Sequence, residues 1–568
     1  MGREMESVIR QARGAEPVDV LLRGGTVVDV LTGRLRRAEV AIAGQRIAGV
    51  CGEVPEARRL IDCTGKFIAP GLIDGHIHLE SSLLHPLEFA RAAAAHGTTT
   101  VIADPHEIAN VCGTEGARFM ARAAGGGPVD VLLSVPSCVP ASPLETSGAE
   151  LGPREVAEML AWPEAIGLGE MMDVPGVLAG QPHVLAKLAA AAGKPIDGHA
   201  PGLTGRDLQA YVAAGPDSDH ECTTLAEAEE KLTAGMWIMI REGTAARNLP
   251  DLVPVVLDRA KAGRCLFVSD DLAPSELLVD GHLDRILRLA VAAGVDAIEA
   301  LRLVTVNPAA RFELCDRGAI RPGLLADIVV FDDLATFRVS CVLKRGVDVT
   351  ELGQAPTEVA PPAAGCRIGA LTPETFAVPA PAGEVRVIGV VPGQIVTEAL
   401  TMALPSSGGR MVADPASDVA KIAVIERHGR GGGMGLGFVK GLGLQRGAVA
   451  STVAHDSHNL IVAGADDGSM VAAARAVAEA GGGFVAVMPG GDPHVLPLPI
   501  AGLMSDRPIA EVAGAVEVLL DVAATLGCRA RNPFATLSFL ALPVIPALKI
   551  TDRGLVDVAR FAHVPLAV

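Results

Sequence analysis

The chain has 568 residues, 49% of them hydrophobic and 20% charged, which is too long for one core and too apolar for a disordered protein. Its 48 basic and 66 acidic side chains give a net charge of −18, which argues against a nucleic-acid surface. No run approaches the roughly 18 apolar residues of a membrane span, none of the cysteines forms a Cys-x-x-Cys pair, and the N-terminus MGREMESVIRQARG lacks the apolar core of a signal peptide, so a cytoplasmic protein with no membrane partner is expected.

Residues 17–65 are short β-branched runs broken by Gly-Gly, Thr-Gly and Gly-Gln, the pattern of β-hairpins. From 66 to 318, strand-like runs alternate with Ala-rich helical stretches such as EFARAAAAHG, HVLAKLAAAAGK and LDRILRLAVAAG. Eight strands are predicted: GLIDGHIH (71–78), TTTVIAD (98–104), VDVLLSV (129–135), AIGLGE (165–170), PIDGH (195–199), DSDH (217–220), MWIMIR (236–241) and RCLFVSD (264–270). Eight strand–helix units in about 250 residues predict an α/β fold of the (β/α)₈ barrel type. Residues 319–355 turn strand-like again, PTEVAPPAAG (356–365) reads as a linker, and 370–568 reads as a separate Gly-rich α/β region.

Chemistry in such barrels sits at the C-terminal ends of the strands. Here those ends carry His76 and His78, Asp104, Glu170, His199, His220, Arg241 and Asp270. Side chains two apart on a strand share a face, so His76 and His78 converge, with Glu80 next in the same spacing. Any one of these histidines could simply satisfy a neighbouring carbonyl. Four histidines and two carboxylates at the ends of one barrel are hard to explain that way, and the donor set suits Zn²⁺, Mn²⁺ or Fe²⁺.

The pattern resembles the amidohydrolase superfamily, with His-x-His after strand 1, His after strands 5 and 6, and Asp after strand 8. Within it, GLIDGHIHLESSLLHPLEFA, TTTVIADPHEIANVCG, IGLGEMMDVPGV, IDGHAPGL, SDHECTT and VSDDLAP are similar to the bacterial adenine deaminases, as are SDVAKIAVIERHG and TVAHDSHNLIVAG near the C-terminus. The resemblance implies a small β-sandwich built from chain on both sides of the barrel, and an extra C-terminal domain. It also implies a divalent metal cofactor, two ions per site with Mn²⁺ ahead of Fe²⁺ and Zn²⁺, and a homodimer. Relatives that bridge two metals with a carbamylated lysine carry it after strand 4. This chain has Gly-Glu-Met-Met there, so Glu170 takes that place. The same arrangement is compatible with deacetylases of N-acetylated amino-sugar phosphates, or with another aminopurine deaminase. A catalytically dead barrel should have lost ligands, and this set is complete. Cytidine-type zinc deaminases need Pro-Cys-x-x-Cys and are excluded.

On that resemblance the activity is deamination of adenine to hypoxanthine and ammonia, in purine salvage. His76 and His78 would bind one metal, His199 and His220 the other, and Glu170 would bridge them. The metal would lower the pKa of its water to roughly 7. Asp270 would touch one metal and shuttle the proton from nucleophile to leaving amine. Glu221 is the candidate partner of purine N1, the alternative being an ordinary acid at a helix start. Asp271 is a candidate to contact the purine or orient ligands. His106 and Glu107 would close the purine pocket or bind a metal, unless they lie on a solvated loop. Glu80 and Ser82 are candidate pocket residues, with support of the ligands as the alternative for Glu80. Asp104 would hold a histidine tautomer. His455, Asp456 and His458 permit a further metal or a lid, against a structural role. The run HGRGGGMGLGFVKGLG (428–443) lacks Walker spacing and a dinucleotide-fold context.

Overall fold

A computed structural model describes residues 2–52, 56–244, 246–352, 359–381 and 383–568. Eight parallel strands form its centre: β1 (Leu72–Ile77), β2 (Thr98–Ala103), β3 (Asp130–Val135), β4 (Ala165–Met171), β5 (Ile196–Gly198), β6 (Ser218–Asp219), β7 (Trp237–Arg241) and β8 (Cys265–Val268). They pair in the order β5-β4-β3-β2-β1 and β6-β7-β8. The Asp217 amide donates to the Ile196 carbonyl across the β5/β6 gap (3.0 Å), and a parallel bridge between Ile77 and Asp270 closes β8 on β1. Each predicted strand is present, including the short DSDH segment.

Barrel strands are covered on both faces, which is why they read as near-continuous apolar runs. Every residue of β1, β2 and β8 is buried. Ile73, Ile102, Met239, Leu266, Val268 and Phe312 fill the barrel floor. The Ala-rich stretches form helices Pro86–Ala95, Pro182–Ala190 and Leu283–Ala292 outside it.

The β-sandwich is built from both flanks. Strands between residues 18 and 62 make a four-stranded sheet, and a six-stranded sheet joins Thr26–Asp29, Arg34–Arg37 and Phe67–Pro70 to Ile328–Phe331, Val339–Lys344 and Val347–Asp348. Residues 356–358 of the expected linker lie outside the described residues, and 359–365 carry no regular structure.

The C-terminal region holds an eight-stranded sheet over 385–497, helices Asp467–Glu479 and Ile509–Leu526, and a three-stranded sheet over 548–564. Its apolar core is continuous with that of the barrel. One apolar core runs from barrel residues Ile77, Leu84, Ile108 and Leu277 into Ile388, Ile461, Met504, Leu519 and Leu526. The physical reason is that helix Ile509–Leu526 and the barrel helix Pro274–Val279 bury their apolar faces against each other. Backbone hydrogen bonds from Ser505 N to Leu83 O (2.7 Å) and from His85 N to Ser505 O (3.0 Å) fix the join. Two strands of the C-terminal region close tightly: a Cβ on Gly435 would stand 2.0 Å from the Thr551 carbonyl. The glycine run thus serves sheet packing around strand Met434–Lys440.

Candidate metal centre at the barrel mouth

The end of β1 delivers His76 and His78, and the backbone after β8 is tied to it. Asp270 N donates to His76 O (3.1 Å) and His78 N to Asp270 O (3.0 Å). Asp270 holds a left-handed φ of +59°, a strained conformation that this pairing enforces. The two hydrogen bonds put its carboxylate between the strand ends.

Glu170 is the centre of the group. Its Oε1 lies 2.9 Å from His78 Nε2 and 3.3 Å from His76 Nε2, while its Oε2 lies 2.7 Å from His199 Nδ1 and 3.5 Å from His220 Nε2. One oxygen therefore faces each histidine pair. Asp270 Oδ1 stands 3.2 Å from His78 Nε2 and 3.4 Å from His76 Nε2, on the first pair's side only. His199 is the most open of the six, with 22% of its side chain exposed. All six expected ligands are brought together.

Surrounding groups fix these side chains. His78 Nδ1 lies 3.0 Å from the Asp104 carbonyl, and the Asp104 carboxylate accepts from Glu170 N (2.8 Å). Asp104 thus holds His78 with its backbone carbonyl, while its carboxylate faces His106, Oδ1 to Nδ1 at 3.5 Å. Gly169 makes room for this, since a Cβ there would meet Asp104 Oδ2 at 2.1 Å. The chain's single tyrosine, Tyr211, donates to Met171 O (2.7 Å) and accepts from His199 N (3.2 Å). Lys231, fully buried, donates to Ala200 O (2.7 Å) and Asp219 Oδ2 (3.0 Å), bracing the loops that follow β5 and β6.

Arg241 received no task from the sequence beyond its place at a strand end. In the structure it is a clamp. It donates to both oxygens of Glu221, through Nη1 and through Nη2 (2.9 Å), and Nη1 also donates to Asp270 Oδ2 (3.1 Å). Glu221 Oε1 is 3.4 Å from His220 Nε2, so Glu221 is a site residue and not a plain helix acid. With both oxygens accepting, it is arranged as an acceptor and not as a proton donor.

Burial alone would depress the histidines, yet the carboxylates of Asp270 and Glu170 lying beside it outweigh burial and raise His76 to about 10. His199 rises to about 9 because Glu221 and Glu170 overcome its burial. Glu170 moves the other way: burial raises it, but His220 and the other histidines hold it well below the carboxylate range. Both nitrogens of His76, Nδ1 of His220 and Oε1 of Glu170 are buried without a hydrogen-bond partner. Such a set, with His76/Glu170/His220 and His76/His78/Asp270 ligand atoms each within 4.8 Å of one another, can hold divalent metal.

The remaining candidates divide. His106 is inside the site, its ring 4.6 Å from that of His78 and its Nδ1 3.9 Å from Glu170 Oε1. Asp271 accepts from the Ser81 hydroxyl, a residue the sequence did not flag. Glu80 is buried and accepts from Ile108 N (3.1 Å), capping the helix that carries His106 and Glu107. It is a support for that helix; burial and the Glu107 charge raise it to about 7. Ser82 is buried, and its hydroxyl donates to Leu79 O (2.6 Å) within its own turn. Glu107 faces the C-terminal region: its oxygens meet His455 Nδ1 (2.5 Å) and His458 Nε2. The loop reading of His106 and Glu107 fails, since both are buried.

Comparison with known proteins matches residues 67–349 to the amidohydrolase family and 394–562 to the adenine deaminase C-terminal domain. The chain is 48% identical to an adenine deaminase of Desulfatibacillum aliphaticivorans over 99% of both chains. It is 46% identical to adenine deaminase 2 of Carboxydothermus hydrogenoformans over 100% of both. Among solved structures, molinate hydrolase is 20% identical with a TM-score of 0.44, over 63% of this chain and 100% of that one.

Proposed function

We propose that this chain, which belongs to the adenine deaminase family of amidohydrolases, hydrolyses adenine at C6 to hypoxanthine and ammonia at this centre. The observation that carries the reading is the division of Glu170, one oxygen toward His76 and His78 and the other toward His199 and His220. Two divalent ions would be held there, one by His76, His78 and Asp270 and the other by His199 and His220, with Glu170 shared between them. The mixed imidazole–carboxylate donors support Mn²⁺, with Fe²⁺ and Zn²⁺ compatible. When bound, the metal supplies acidity, lowering the pKa of water to about 7 so that it can attack the ring.

The residues do the rest. Asp270, anchored through Oδ2 by Arg241, takes a proton from the attacking water and passes it to the departing amine. Such transfers are typically worth about 10²–10⁴ in rate. The water's other proton goes to N1 as C6 becomes tetrahedral, and Glu221, held by Arg241, accepts the hydrogen bond of that N1–H. Asp271 and His106 line the same space and orient the base. A homodimer acting in cytoplasmic purine salvage completes the proposal.

Protein loaded with Mn²⁺ and given adenine should release ammonia in step with hypoxanthine. Absence of ammonia, with acetate released from an N-acetylated amino-sugar phosphate, would replace this reading by the deacetylase one. Ammonia from another aminopurine alone would point to the other deaminase reading. Asp270→Asn should lose turnover while keeping most of its metal.

A further inference from the structure

The segment Ala454–Asn459 of the C-terminal region reaches the barrel mouth, and most of its polar groups are consumed in docking there. His458 Nδ1 accepts from Ala454 N (3.1 Å), so its Nε2 carries the hydrogen and gives it to Glu107. His455 Nδ1 is on the other Glu107 oxygen at 2.5 Å, and Asn459 Nδ2 donates to Thr146 O (2.8 Å). Asp456 is what remains. It is 3% exposed, and its Oδ2 is buried with no hydrogen-bond partner.

Its place is next to the cluster of histidines and carboxylates at the barrel mouth. Ligand atoms of Asp456, His106 and Glu107 lie within 4.8 Å of one another, and His106 Nδ1 is 3.9 Å from Glu170 Oε1. Asp456 therefore stands one imidazole ring away from the centre. A buried carboxylate oxygen without a donor is costly, and so points to a ligand that supplies one.

Free adenine has two kinds of N–H: the exocyclic amine and one imidazole-ring N–H. Under the proposed function the amine lies at the metal centre as the leaving group. The donor left for a carboxylate one ring away is the imidazole N–H, because ionised carboxylates only accept. We infer that Asp456 is a specificity-determining residue that accepts the imidazole N–H of the free purine base, so that the C-terminal region completes the substrate site. Purines substituted at that nitrogen, nucleosides included, have no hydrogen to offer and are rejected.

The inference rests on adenine being the substrate, and the test separates the two. Wild type, Asp456→Ala and Asp456→Asn are compared on adenine and 9-methyladenine by ammonia release, with metal per chain measured by elemental analysis. A charge-assisted hydrogen bond of this kind is worth about 10–100-fold in binding. The Ala variant should show an adenine KM raised by about that factor, with kcat changed less. Its preference for adenine over 9-methyladenine should shrink by about the same factor, with metal content unchanged. Asparagine keeps an oxygen acceptor and the original volume, so Asp456→Asn should retain part of the preference and guards against a misfolded Ala variant. An unchanged preference in either folded variant overturns the inference alone. So does loss of one metal equivalent, which would make Asp456 a ligand. No ammonia from adenine with the wild type removes the proposed function and this inference with it.

Discussion

Replacing Arg241 by Met tests the part of the site that the fold added. The guanidinium is buried, with 9% of its side chain exposed, and its hydrogen bonds reach two carboxylates, Glu221 twice and Asp270 once, while Nε donates to Asn248 Oδ1 (2.9 Å). Burial by itself would lower its pKa, but the charges of Glu221 and Asp270 raise it, so it is a permanent cation. Methionine fills much of the volume and leaves both carboxylates without their donor. Breaking one side of a buried ion pair costs about 3–5 kcal/mol, which is the expected loss in unfolding free energy. Asp270 would lose its Oδ2 anchor and swing, and misplacement of a reacting group by about 1 Å costs roughly 10²-fold. The expected kcat is therefore about 10²–10³-fold lower. Arg241→Lys keeps the charge without the planar fork and should recover part of it. Ammonia release at saturating adenine, urea midpoints and elemental analysis read these out. Wild-type kcat together with a wild-type midpoint in Arg241→Met would refute the clamp.

Glu170→Gln turns one oxygen into an amide that donates toward one histidine pair, and metal affinity should fall by more than about 100-fold; elemental analysis after dialysis checks it, and retained metal would contradict the bridging role. In the metal-free protein His76 at about 10 and His199 at about 9 are protonated at pH 7. These raised values stabilise the metal-free fold fully below the usual imidazole range, and that contribution is lost as pH rises through about 9 to 10. Divalent metal needs the bare nitrogens, so Mn²⁺ uptake should release protons in weak buffer at pH 7 and should weaken as pH falls. Uptake with no proton release would contradict the charge balance described. Lys549 is lowered by burial to about 7 and donates to Ile395 O (2.8 Å) and Phe539 O (2.8 Å). Its depressed value makes the unfolded chain the better proton binder between about pH 7 and 10, so it adds a rise in stability over that window. Lys549→Met should flatten that rise, of order a few kcal/mol; urea midpoints at pH 7 and 10 that change equally in both proteins would exclude it.

Much of the site was legible before any coordinates. His-x-His at the end of an apolar run, and single His, Glu and Asp residues at later strand ends, are local signals. A parallel barrel places every strand end on one rim, so their convergence follows from counting strands. Even the two-residue β6 could be located, because His220 follows it directly. What was not legible depends on side chains meeting across the barrel. Arg241 looked like any strand-end cation until Glu221 and Asp270 were seen on either side of it. Ser82 shares a motif with the ligands, but its hydroxyl is spent in its own turn.

Sequence by itself determined the barrel and the convergence of six His, Glu and Asp side chains at its strand ends, because strand period and strand-end position are local properties of the chain; the flanking sandwich was implied by the family resemblance. Only the tertiary structure decided that the C-terminal region shares the barrel's core and brings Asp456 to its mouth. That contact joins Glu107 to His455 and His458 across about 350 residues of chain, and no spacing encodes it. Packing of apolar faces selects such a pairing, and those faces read alike wherever they finally dock.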